Sequence, residues 1–133
     1  MHTTFPAYPD IVKSLENGSP DRLLPGAADP DRFARHAKAL DAVEKAARDA
    51  LGTPMPDLPF SKFRLFQDRG DRATFEKPFF ARRVRLANLL VAILGGRDVD
   101  GSLLAGLEDT MWETCNEFTW SLPAHLWRAG PRE

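Results

Sequence analysis

Between Asp29 and Gly52 the chain reads "DPDRFARHAKALDAVEKAARDALG", with Phe33, Ala37, Leu40, Val43, Ala47 and Leu51 at three- and four-residue steps. That spacing predicts one amphipathic helix. Asp29 suits its N-cap, Pro30 its first position and Gly52 its stop. His36 falls beside the apolar stripe and reads as a surface histidine. A second helix is expected from Glu76–Pro78 to Leu94, closed by Gly95 and Gly96. Phe80, Val84, Ala87, Val91 and Leu94 form its stripe, and Leu86, Leu90 and Ile93 widen it, so that from Val84 onward it is apolar almost all round. A helix of that kind is enclosed by neighbours. The third helix follows "GGRDVDG" and is expected over 101–118, burying Leu104, Leu107, Met111, Cys115 and Phe118. A short connection between helices of similar length makes an antiparallel hairpin.

Other segments lack a helical period. Residues 1–28 hold Pro6, Pro9, Pro20, Pro25, Gly18 and Gly26, which predicts an irregular lead-in with at most a short helix near 9–17. Residues 53–75 open with three prolines and continue through Phe60, Phe63, Leu65 and Phe66. They read as an extended connection that drops aromatic anchors onto a core. "RGD" at 69–71 reads as a turn. Strand signals are nearly absent, so the expected class is all-α, with a lead-in at 1–28 and a helical domain at 29–133.

Composition narrows the function classes. The chain has 133 residues, one domain's length, and a formal net charge of −1, which gives no global field for nucleic acid or anionic lipid. The single cysteine excludes an internal disulfide and a multi-cysteine zinc site. His2, His36 and His125 are scattered without ligand spacing, so neither a metal nor another cofactor is expected. No apolar run is long enough to span a bilayer, and the first residues lack the pattern of a secretory signal. Cytoplasmic location is the default expectation, with export left open if residues precede Met1.

Candidate chemistry gathers near "ETCNEFTWSLPAH", residues 113–125. Cys115 reads as a buried structural thiol. Glu113 and Glu117 are four apart and share a helix face, either as a carboxylate pair or as a solvated surface. Arg82, Arg83 and Arg85 are able to grip an acidic polymer through guanidinium forks, or to form a charged helix surface. Pro123 stops the third helix from continuing undisturbed, which re-aims Trp120 and His125. Tryptophan offers a flat surface for stacking on a sugar ring, and histidine exchanges protons near neutral pH. The competing reading is a Trp/His helix stop packed in a core.

Two stretches, "FRLFQDRGDRATFEKPFFARRVRLANLLVAILGG" and "DTMWETCNEFTWSLPAH", resemble the amino-terminal helical region of heparinase II/III-like proteins. The second carries a W-x-x-C-x-E-x-x-W-x-x-P-x-H pattern at Trp112, Cys115, Glu117, Trp120, Pro123 and His125. The resemblance covers about residues 58–127 and implies part of an incomplete α/α toroid. It further implies a polysaccharide lyase that cleaves uronic-acid-containing polymers by β-elimination. That chemistry needs a group to neutralise the carboxylate, a base for the C5 proton and an acid for the leaving oxygen. In the family, asparagine, histidine and tyrosine supply these functions, mostly downstream of this motif. The only tyrosine here is Tyr8, outside the matched region.

Three expectations follow, in order. The first is an amino-terminal lyase segment, a fragment inactive alone, whose Trp120, His125, Glu117, Arg82 and Arg83 face an acidic polysaccharide. In that reading His125 is the weak candidate for a catalytic group. The second is an independent hydrolase or lyase using Glu113, Glu117 and His125. The third is a small helical interaction module without catalysis, self-associating through exposed apolar helix faces.

Overall fold

A computed structural model describes residues 29–126 together with the isolated positions Pro9, Lys13 and Gly18. The rest of the expected lead-in, and positions 127–133 of the helical domain, lie outside the described residues. Every regular element within 29–126 is a helix, so the chain is all-α.

Asp29 caps α1 (Pro30–Ala34) as the sequence predicts, its carboxylate accepting the Asp31 N–H at 3.0 Å. The expected single helix over 29–52 is two. His36, at φ −118° and ψ 28°, leaves helical geometry, and α2 (Ala37–Leu51) starts after it. Apolar spacing is blind to such a break, because Leu40 N–H still bonds back to the His36 carbonyl at 3.0 Å.

The extended connection expected over 53–75 is corrected more deeply, since Phe60–Arg69 form α3. Pro59 sits at φ −68° and ψ 152° immediately ahead of Phe60, so the last proline starts the helix and interrupts nothing. A helix opening tolerates proline because its first N–H groups have no intrahelical partner. Gly70 closes α3 at φ 74°, and its N–H reaches the Phe66 carbonyl at 2.8 Å. The turn expected at 69–71 is therefore present. Asp71 then accepts the Thr74 N–H at 3.1 Å and the Thr74 hydroxyl at 2.8 Å. These two bonds, the backbone one foremost, hold the Asp71 carboxyl below its ordinary range.

Helix α4 spans Ala73–Leu94, three residues earlier than expected, with Pro78 inside its second turn. Helix α5 spans Ser102–Cys115 and ends three residues before the expected Phe118. Asp98 opens α5 by accepting the Leu103 and Leu104 N–H groups, each at 2.9 Å. A four-residue helix, α6 (Pro123–Leu126), follows.

Helix α4 is the centre of the fold. It packs against α2 on one side and α5 on another, and both run antiparallel to it. Contacts place Arg83 beside Glu117 and Arg85 beside Thr110, while Arg82 meets Pro56 and Arg85 meets Thr53. The core joins Ala47 of α2, Leu89 and Ala92 of α4, and Leu103 and Leu107 of α5. Leu89 and Leu103 are fully buried, each stabilising by roughly 1.5–3 kcal/mol. Gly106 permits this closeness: a Cβ there would collide with the Leu51 side chain and touch Leu89.

Both hairpin stripes expected from the sequence are displaced. On α4 the buried positions are Phe75, Phe79, Arg82, Leu89 and Ala92, while Phe80, Val84, Ala87 and Val91 are exposed. On α5 they are Leu103, Gly106, Leu107 and Thr110, whereas Leu104, Met111 and Phe118 are exposed. Cys115, expected to be buried, is an exposed free thiol. The displacement has a chemical cause. The side turned inward is lined by arginines, a glycine and a threonine whose polar atoms bond to one another and to backbone, and hydrophobicity alone assigns such residues to the surface.

Candidate functional site

Three consecutive turns at the start of α4 position the site. Phe75 and Phe79 are buried in an aromatic cluster with Phe63, which itself meets Phe118 at 5.6 Å between ring centroids. This cluster seats α3 and the segment after α5 against the same stretch of α4. Arg82 follows one turn later, only 7% exposed. Its Nε–H donates to the Pro56 carbonyl at 2.6 Å, and one terminal nitrogen donates to the Glu113 carbonyl at 3.3 Å and Glu117 Oε1 at 3.2 Å.

Arg83 completes the arrangement from the next position. Its two terminal nitrogens form a fork on the Glu117 carboxylate, at 2.7 Å to Oε1 and 2.5 Å to Oε2. The guanidinium also lies 3.6 Å from the centre of the Phe79 ring. Glu117, with a side chain only 3% exposed, is thus held by two arginines. A buried carboxylate is costly unless paired and hydrogen-bonded, and here both conditions are met. Arg85 extends the tether, donating to the Thr110 hydroxyl at 3.2 Å and the Thr53 carbonyl at 2.9 Å. The three arginines tie the irregular segment 53–56, the end of α5 and Glu117 just beyond it to one helix.

The segment after Cys115 leaves helical geometry. Asn116 ends α5, and Pro123, buried, begins α6. Between them Trp120 folds back so that its indole N–H donates to the Thr114 carbonyl at 2.8 Å. Its ring stays 66% exposed. His125 lies five residues on and is exposed, its backbone N–H bonded to the Leu122 carbonyl at 2.9 Å.

Of the residues singled out by sequence, Arg82, Arg83 and Glu117 come together, Arg82 and the Glu117 side chain buried and Arg83 half-buried. Trp120 and His125 share the exposed segment that this cluster anchors. Glu113 contributes its backbone carbonyl to the cluster, and its side chain does not pair with that of Glu117. Arg85 and Thr110 belong to the same network, although sequence spacing singled out only the arginine. Thr110 carried no signal beyond being a polar residue on an apolar stripe.

A cavity of about 490 Å³ lined by Phe33, Ala37, Leu40, Leu94 and Arg97 lies at the far end of α4 and includes none of these residues. Among the described residues no group of three or more histidine, cysteine or acidic side chains is placed to hold a metal ion. No described helix is long and apolar enough to cross a membrane. No family model, curated protein or solved structure matches this chain.

Proposed function

We propose that the chain is a helical segment of the heparinase II/III-like kind, which presents the 117–125 stretch to a uronic-acid-containing polysaccharide. The observation that carries the reading is the pinning of that stretch. Arg82 and Arg83 grip Glu117 in a buried ion cluster, while the Trp120 ring and His125 stay open to solvent three and eight residues later. An indole whose N–H is already engaged keeps an apolar face free, which suits stacking on a pyranose ring. His125 supplies an exposed hydrogen-bond donor for a uronate.

In this reading Trp120 and His125 face the sugar, and Arg82, Arg83 and Glu117 position them. β-Elimination needs a base at C5 and an acid at the leaving oxygen, and one exposed histidine does not supply that set. The isolated chain should therefore bind and not cleave.

The test is a fluorescence titration of the protein with heparin and with alginate, using neutral dextran as the control. A saturable change with a uronic polymer is expected, weakened about tenfold or more by Trp120→Ala, equivalent to about 1.4 kcal/mol. Absence of binding, or an unchanged affinity in that variant, overturns the reading. Release of unsaturated uronate by the chain alone, lost in His125→Ala, would make His125 a reacting group.

The exposed apolar positions Val84 and Met111 favour the alternative, a helical interaction module without catalysis.

A further inference from the structure

The exposed Trp120 ring is moored to the last turn of α5 by one carbonyl. The Trp120 indole N–H and the Glu117 backbone N–H both donate to the Thr114 oxygen, at 2.8 and 3.3 Å. Thr114 is the last residue but one of α5, where carbonyls have no partner within the helix. The mooring point therefore lies on the turn of α5 most free to fray.

Two threonines steady that turn. The Thr114 hydroxyl donates to the Thr110 carbonyl at 2.8 Å, and the Thr110 hydroxyl donates to the Gly106 carbonyl at 2.6 Å. A hydroxyl that bonds back one turn bends its helix, so this pair sets the direction in which the end of α5 points. Arg85 supplies the outside reference. Its Nε–H donates to the Thr110 hydroxyl at 3.2 Å, and one terminal nitrogen donates to the Thr53 carbonyl at 2.9 Å. The end of α5 is thus set relative to α4, the helix that also grips Glu117. Thr110 is fully buried, where valine has the same shape and no polar atom to desolvate. Its hydroxyl is retained through bonds that valine cannot make.

We propose that Thr110 and Thr114 are positioning residues for Trp120, their hydroxyls aiming the Thr114 carbonyl at the indole and so holding the ring where a sugar stacks. The sugar half of this inference rests on the function proposed above. Arg82 and Arg83 fix the chain at Glu117, three residues before the ring, whereas the threonines act on the ring through its N–H. Thr110 is sealed from solvent, so any effect of its hydroxyl on polymer binding passes through Trp120.

The experiment compares Thr110→Val, Thr114→Val and Thr114→Ser with the unaltered chain. Nuclear magnetic resonance follows hydrogen exchange at the Trp120 indole N–H, identified by its loss in Trp120→Phe. Both valine variants should exchange that proton about tenfold or more faster. They should also bind heparin or alginate about threefold or more weakly. Thr114→Ser keeps the hydroxyl and should restore both values. Should Thr110→Val fail to fold, Thr114→Val decides, because its side chain is only half-buried. A purely structural role would lower the melting temperature and leave indole exchange and polymer affinity as they are, which overturns the proposal. Equal losses in Thr114→Ser and Thr114→Val overturn it as well. If the unaltered chain binds neither polymer, the sugar reading falls, and the indole exchange rates still decide the positioning.

Discussion

The two ends of the α4–α5 hairpin are closed by opposite chemistries. Near Leu89 the helices meet through Leu103, Gly106 and Leu107, with Leu51 of α2 filling the space a side chain at 106 would need. Near Arg82 they meet through guanidinium groups on a carboxylate and on backbone carbonyls. Apolar packing is non-directional, so the first end supplies cohesion wherever complementary volume is present. Charge-assisted forks demand particular atoms at particular angles, so the second end fixes geometry. The segments that need fixing, 53–58 and 116–122, are irregular and cannot hold themselves in place by a helical ladder. The polar closure sits where they meet α4.

That contrast can be broken from either side. Arg82→Ala strands the Pro56 and Glu113 carbonyls and leaves Glu117 to Arg83 alone, and should cost about 2–5 kcal/mol in chemical denaturation. Leu89→Ala should cost about 2–5 kcal/mol by cavity formation. Hydrogen exchange separates the two. Arg82→Ala should raise exchange most over 113–122, whereas Leu89→Ala should raise it across α2, α4 and α5 together. Identical exchange patterns would mean that the two ends are one cooperative unit with no division of labour.

A smaller effect is expected at the opening of α5. Asp98→Ala removes the acceptor for two N–H groups and should cost about 1 kcal/mol, read as a lower melting temperature. The smallest concerns pH. The Asp71 carboxyl is held below its ordinary range in the folded chain, so the stability it contributes is present above the unfolded value of 3.8. It is lost as pH falls through the lower folded value. Asp71→Asn should flatten the acid limb of the stability curve at the α3–α4 turn. An unchanged acid limb would show that the Thr74 bonds are not formed preferentially with the ionised group.

The helix limits marked by caps and glycines were readable from the chain, at Asp29, Gly52 and the Gly95–Gly96 pair. Helix α3 was not, because Pro54, Pro56 and Pro59 resemble breakers until the last one is seen to sit just outside a first turn. The inward face of α4 was hidden for another reason. Periodicity in a helix that is apolar nearly all round does not choose a face, and the arginines that do choose it look like surface residues. Their inward turn depends on carbonyls 26 to 32 residues away, at Pro56, Glu113 and Thr53, and no local pattern records those. The grouping of Arg82, Arg83 and Glu117 was legible only as a set of charged candidates, and their burial was not. Trp120 and His125 were legible as lying beyond the third helix, but the break falls at Asn116, and Pro123, expected to stop that helix, opens α6 instead. The anchoring of their segment was not legible.

The Arg82–Glu117 pairing has a kinetic side. The partners are 35 residues apart, whereas the helix that carries Arg82 closes bonds over four residues. Local turns form in about a microsecond or less, and a contact across so long a loop waits until its flanking elements have docked. The arginine fork is therefore a late event in folding, and the stretch carrying Trp120 acquires its shape only when the hairpin has already closed. Any sugar-facing geometry at that stretch is in effect a report that the hairpin has assembled.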